Sequence, residues 1–132
     1  MQKIILLTGA ILMVSTVANA CGGITITGKS GAGYCLSKHK MNWFSAYAWC
    51  NDQKMSLIDI ESVCKNYNSC PEFKFSSSEK AYITDNGGTL GWMWTKTLPS
   101  AGNAFQVNFD GSINSIYGGG LVYGEGVPAL CH

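Results

Sequence analysis

Six cysteines, Cys21, Cys35, Cys50, Cys64, Cys70 and Cys131, all lie beyond residue 20 of a 132-residue chain, and nothing else in the sequence constrains the fold as strongly. An even set in a short chain reads as a disulfide framework when the compartment is oxidising. The N-terminus predicts such a compartment: Lys3 supplies a positive start, residues 4–17 an apolar run, and Ala18-Asn19-Ala20 a small-x-small cleavage site. Residues 1–20 are therefore expected to be a signal peptide, with the mature chain starting at Cys21 and lying in the periplasm, at the cell surface or free outside. A retained anchor is the rival reading, but Gly9, Ser15 and Thr16 interrupt the run, which falls short of the roughly 20 residues a spanning helix needs. Lipid attachment at Cys21 would suit its position, yet Ala18 and Asn19 are poor substitutes for the residues that lipoprotein processing prefers. Zinc is the other use of so many thiols. No Cys-x-x-Cys pair occurs, however, and His39 and His132 are far apart.

Residues 21–132 are enough for one domain with a modest core, and no linker or charge run divides them. Losing Lys3 leaves eight lysines against eight acids, with no arginine anywhere. Nucleic acid and acidic membrane surfaces both require clustered positive charge, so neither is an expected partner.

Along the chain, Ile24-Thr25-Ile26-Thr27 alternates between glycines, turns at Gly28-Lys29-Ser30-Gly31 and returns to Tyr34-Cys35. This predicts a hairpin with a cysteine at each end; a Cys21–Cys35 bridge would staple an element that is marginal alone. A helix is predicted from the Asn42 cap to about Lys54, with Met41 placed as a hydrophobic staple. Trp43, Ala46, Tyr47 and Cys50 fall at i, i+3, i+4 and i+7 and define its buried face. A second, short helix is expected over residues 59–67, with Glu61 in its first turn and a stop at Pro71. The polar stretch 76–80 reads as a connection, and the chain beyond it as strands: 92–95, then 104–109 and 112–117 around an Asp110-Gly111 turn, and 127–131. The fold class expected is α+β, two helices against a small antiparallel sheet with an N-terminal hairpin.

Trp43-x-x-Ala46-x-x-x-Cys50, with Leu57, Ile58 and Ile60 beyond it, resembles the first helix and following strand of C-type lectin-like domains. The stretch Gly91-Trp92-Met93-Trp94-Thr95-Lys96-Thr97 is similar to the second half of bacterial members of that family, as are residues 103–113 and the terminal Ala129-Leu130-Cys131. The matches span most of residues 34–131. The resemblance implies a bridge from the first helix to the last strand, Cys50–Cys131. It also implies an N-terminal hairpin bridge, Cys21–Cys35, leaving Cys64 for Cys70. The family often has glycine where Lys54 stands, which puts a left-handed residue there in doubt. Sugar-binding members hold calcium with Glu-Pro-Asn or Gln-Pro-Asp and with Trp-Asn-Asp, and none of these tripeptides occurs here. No cofactor is therefore expected, and a usual calcium site is not supported. Asn108 and Asp110 offer a few oxygens where calcium needs six to eight, and the Asp-Gly turn accounts for Asp110 by itself.

The ligand candidates are Trp49, Trp92, Trp94, Asn108 and Asp110. A tryptophan face can stack on a sugar ring, but core packing explains Trp43, and Trp92 and Trp94 share one side of a strand that runs through the sheet in the resembling domains. Trp49 falls off the helix's apolar stripe and is expected to be exposed. Enzymatic chemistry is not expected: His39 sits between lysines, His132 ends the chain, both are expected to be solvated, and the bridges leave no free thiol. Two functions from different classes remain. One is an exported binding module presenting loops 86–91, 98–103 and 118–126 to a glycan or protein. The other is a structural or assembly component of a surface appendage or envelope complex.

Overall fold

The structure, a computed structural model, describes residues 21–100, 102–116 and 126–132. The expected signal peptide and nearly all of the 118–126 loop lie outside the described residues.

The alternation of Ile24 and Ile26 with Thr25 and Thr27 produces β1 (Ile24–Thr27), with the isoleucines buried and the threonines exposed. β2 (Gly33–Leu36) returns beside it, pairing Ile24 with Leu36 and Thr27 with Gly33. The reversal closes with Gly28 N–H donating to Ala32 O at 2.8 Å, and Gly31 takes φ 94, a conformation glycine adopts without strain. α1 (Trp43–Asp52) starts where Asn42 Oδ1 accepts the Ser45 N–H at 2.8 Å.

Trp43, Ala46 and Cys50 are its buried residues. Tyr47 departs from expectation at 41% exposed, its ring leaning on Trp43 with centroids 5.4 Å apart. The helix ends two residues before Lys54, which takes φ 64, so this lysine does adopt the left-handed exit usually left to glycine.

α2 spans only Ile60–Val63, shorter than the expected helix over residues 59–67. Lys65 turns left-handed at φ 74, its N–H still reaching Ile60 O, and Asn66 Oδ1 then accepts the N–H groups of Asn68 and Ser69. These side-chain contacts replace the helical ones and curl the chain into the loop that the Cys64–Cys70 bridge closes. A 3-10 turn, Pro71–Phe73, follows.

The polar stretch at 76–80 is a correction: it opens a third helix, α3 (Ser77–Asp85). Ser76 Oγ accepts the Glu79 N–H and Glu79 Oε1 accepts the Ser76 N–H at 2.7 Å, a reciprocal capping box.

β3 (Trp92–Trp94), β4 (Ala104–Asn108) and β5 (Ile113–Ile116) form a second antiparallel sheet, with Met93 opposite Val107 and Val107 opposite Ile113. The Asp110-Gly111 turn forms as expected: Gly111 has φ 88 and Asp110 Oδ1 accepts the Ser112 N–H at 2.8 Å. The last strand is shorter than expected. β6 (Leu130–Cys131) completes the first sheet in the order β1-β2-β6, with Val127 and Ala129 contributing only isolated bridges. The architecture is thus mixed α+β with three helices and two three-stranded sheets, not two helices on one sheet.

The sheets join where Trp94 N–H donates to Pro128 O and Ile58 N–H to Leu130 O. Two buried clusters result. One gathers the hairpin isoleucines, Tyr34, Ile58, Ile60, Phe73, Ile83, Met93 and Phe109; the other gathers Trp43, Ala46, Leu57, Trp94 and Ala129 around two disulfides. The bridges are Cys21–Cys35, Cys50–Cys131 and Cys64–Cys70, with no free cysteine among the described residues. No helix among the described residues is long and apolar enough to cross a membrane.

Candidate functional site

Of the five residues singled out from sequence, the structure pairs Trp92 with Asn108 across β3 and β4 and buries Trp94. Trp94 is 1% exposed, and its Nε1–H is spent on Met41 O at 2.7 Å, so it belongs to the core and offers no platform. Trp49, expected to be exposed, is half-buried against the α1 cluster. Trp92 and Asn108 are half-buried register partners across β3 and β4. Asp110 is exposed, with its carboxyl held below the usual range by hydrogen bonding to Ser112. Among the described residues no group of three or more His, Cys, Asp or Glu is placed to hold a metal ion.

Two clefts flank the loop closed by Cys64–Cys70. The larger, about 430 Å³, lies between the hairpin turn, the loop and the chain's last residue. At its heart Glu72 Oε2 accepts from Tyr34 Oη and from Ser30 Oγ, both at 2.6 Å, while Oε1 accepts the Ser30 N–H at 2.8 Å. Burial alone would raise the Glu72 pKa, but the hydrogen bonds from Ser30 and Tyr34 and the charge of Lys65 outweigh it, so the carboxyl is held below its ordinary value. Burial, then Glu72 itself, pushes the Tyr34 hydroxyl far up.

The His132 ring stacks on Tyr34 with centroids 6.2 Å apart, and its backbone exchanges two hydrogen bonds with Ser56. Desolvation and then Lys96 lower its pKa against the opposing pull of Asp59. The imidazole is thus exposed but anchored, which the expectation of simple solvation did not include.

Chemically this cluster is a clamp. Ser30 donates to a carboxylate too weakly basic to take its proton, and three of the roughly four acceptor positions of Glu72 are already filled. Gly28 makes the clamp possible, because a Cβ there would occupy the space of the Glu72 carboxylate. No local pattern marks these contacts in the sequence, since Glu72 reaches partners 38 and 42 residues away.

The second cleft, about 320 Å³, is lined by Tyr67, Thr97, Leu98, Pro99 and Phe105. Here Tyr67, Leu98 and Pro99 are exposed, while Thr97 is half-buried and Phe105 is half-buried with one side against the core. Tyr67 is 44% and Leu98 45% exposed, and the Tyr67 and Phe105 rings meet at 5.3 Å with planes 37° apart. Phe105 is fixed on β4, its N–H donating to Thr97 O and its carbonyl accepting from Thr95. Tyr67 is carried by the bridged loop, and the hydrogen bond from its hydroxyl to Glu61 raises its pKa. Thr97 Oγ1 donates to Asp59 Oδ1 and accepts the Ile60 N–H, both at 2.9 Å, which ties the cleft's rim to α2. Sequence reasoning names the 98–103 loop but not these rings: Tyr67 sits in an expected helix and Phe105 in an expected strand. Leu98 and Pro99 of that loop do line this cleft.

No family model, no characterised protein and no solved structure matches the chain.

Proposed function

We propose that the chain is an exported recognition domain with a C-type lectin-like fold, binding a glycan or protein surface without the usual calcium site. The observation that carries the reading is the pairing of Cys50 on the first helix with Cys131 on the last strand, alongside Cys21–Cys35 at the hairpin. Those are the bridges the sequence resemblance implies. Two further features support it. Loops held between strands and disulfides present rigid side chains at little ordering cost, and the polar groups of the larger cleft are engaged internally, as scaffold groups would be.

The test has two readings in one preparation. The full chain, expressed with residues 1–20 and recovered from the exported fraction, is expected to begin at Cys21 without lipid by mass spectrometry. It is also expected to be retained on an immobilised glycan array equally with calcium and with chelator. A mature protein that keeps residues 1–20, or retention that chelator abolishes, would overturn the corresponding part of the proposal.

An assembly role is favoured by one different feature. Phe44 is 56% and Tyr47 41% exposed on the outer side of α1, and both rings lean on Trp43. Exposed aromatics gathered on one helix mark an interface more often than chance. If this role holds, Phe44→Ser with Tyr47→Ser abolishes co-purification with an envelope partner and leaves glycan retention unchanged.

A further inference from the structure

We propose that the Tyr67–Phe105 shelf takes the apolar face of a neutral pyranose; the inference rests on the recognition reading above and gives it a ligand class and a place.

The shelf has the parts that sugar recognition needs. A pyranose offers one C–H face to stack and a ring of hydroxyls to hydrogen-bond, and an aromatic ring buries that face with few rotamers to freeze. Tyr67 and Phe105 present two tilted rings 5.3 Å apart, with Leu98 exposed beside them. Both rings are positioned before any ligand arrives: Phe105 by β4, and Tyr67 by a loop bonded at Cys64 and Cys70. The volume, about 320 Å³, lies at the small end of the range for ligand clefts, roughly 300–1,000 Å³.

Charge selects among sugars. None of the five lining residues is cationic, while the Glu61 carboxylate stands at the Tyr67 hydroxyl and Asp59 at Thr97. Carboxylates accept from sugar hydroxyls and repel sialic or uronic acids. The same charge argument disfavours a stacked nucleotide, since its phosphates would meet acids at the rim.

The experiment titrates the full disulfide-bonded protein, its aromatic side chains ¹³C-labelled, with lactose, cellobiose and chitobiose, and separately with sialyllactose. The Tyr67 and Phe105 ring resonances are expected to shift with at least one neutral disaccharide, and sialyllactose to bind several-fold more weakly. Tyr67→Ala is expected to weaken binding by about tenfold, from the usual contribution of one aromatic contact, while Tyr67→Phe stays within about threefold. Because the ring shifts are read on the unaltered chain, a misfolded variant does not decide the matter. The shelf falls if no neutral sugar moves either ring at millimolar concentration. It falls too if Tyr67→Ala leaves retention on the glycan array intact, in which case the recognition reading survives with its site elsewhere. Tighter binding of sialyllactose at the same rings overturns the ligand class.

Discussion

Glu72 and Tyr34 are 9% and 5% exposed, and their hydrogen bond, together with the two from Ser30, fastens the hairpin turn to the chain after Cys70. Glu72→Ala strands a buried phenol and a backbone N–H, which is expected to destabilise the domain by about 1–3 kcal/mol in urea melts. Acid should reach the same contacts. The folded-state pKa of Glu72 is depressed, so its contribution is present above the ordinary value of 4.5 and is lost as pH falls through the lowered one. Glu79 acts in the same direction: hydrogen bonding to Lys29, then to Ser76, brings its carboxyl to about 2, so its share fades between 4.5 and about 2. Glu72→Gln is expected to flatten the Glu72 part of that acid limb, measured as melting temperature against pH. The Glu72 contacts are not legible in the sequence, because a contact 38 residues long leaves no spacing to read. The tryptophans mislead at the same scale. Trp94 has a polar N–H that a surface position would suit, yet a backbone carbonyl inside the fold satisfies it equally well.

Elements are legible where burial is periodic and hidden where capping carries them. β1 announces itself through alternating isoleucines, and α1 through Trp43, Ala46 and Cys50. α3 buries only Ile83, so no apolar stripe marks it, and its one strong signal is the serine-to-glutamate spacing of its capping box. That makes the helix unusually dependent on its first turn. Ser76→Ala is expected to destabilise the protein by about 1 kcal/mol, with faster amide exchange confined to residues 77–85. The α2 region shows the opposite failure. An acidic first turn suggests more helix than forms, because Lys65 turns left-handed and Asn66 bonds the backbone ahead of it. Tyr67, which a longer helix would have placed on a cylinder, stands out on the loop for that reason.

Over the whole molecule the three bridges differ chiefly in the length of chain they close. Separations of 81, 14 and 6 residues correspond by loop-closure entropy to roughly 4.5, 3.0 and 2.2 kcal/mol. Cys50→Ala with Cys131→Ala is therefore expected to lower the urea midpoint more than the paired change at Cys64 and Cys70. The compactness of the fold also depends on a late arrival, for β6 lies against β2 and brings the last cysteine beside the second, Cys131 opposite Cys35. That topology sets the order of oxidation against the order of synthesis. On the export reading proposed above, thiols enter the oxidising compartment from the N-terminus, so Cys21 meets Cys35 correctly but Cys50 meets Cys64 long before Cys131 arrives. The native set is then expected to be reached by exchange: the Cys70 thiolate attacks Cys64, forms the short native bridge and returns Cys50 as a free thiol, which the oxidising compartment joins to Cys131 once the chain's end arrives. Chains trapped with iodoacetamide while they are still being exported are expected to carry the Cys50–Cys64 isomer. A glutathione buffer or a disulfide isomerase should clear that isomer, and Cys70→Ser should hold it in place.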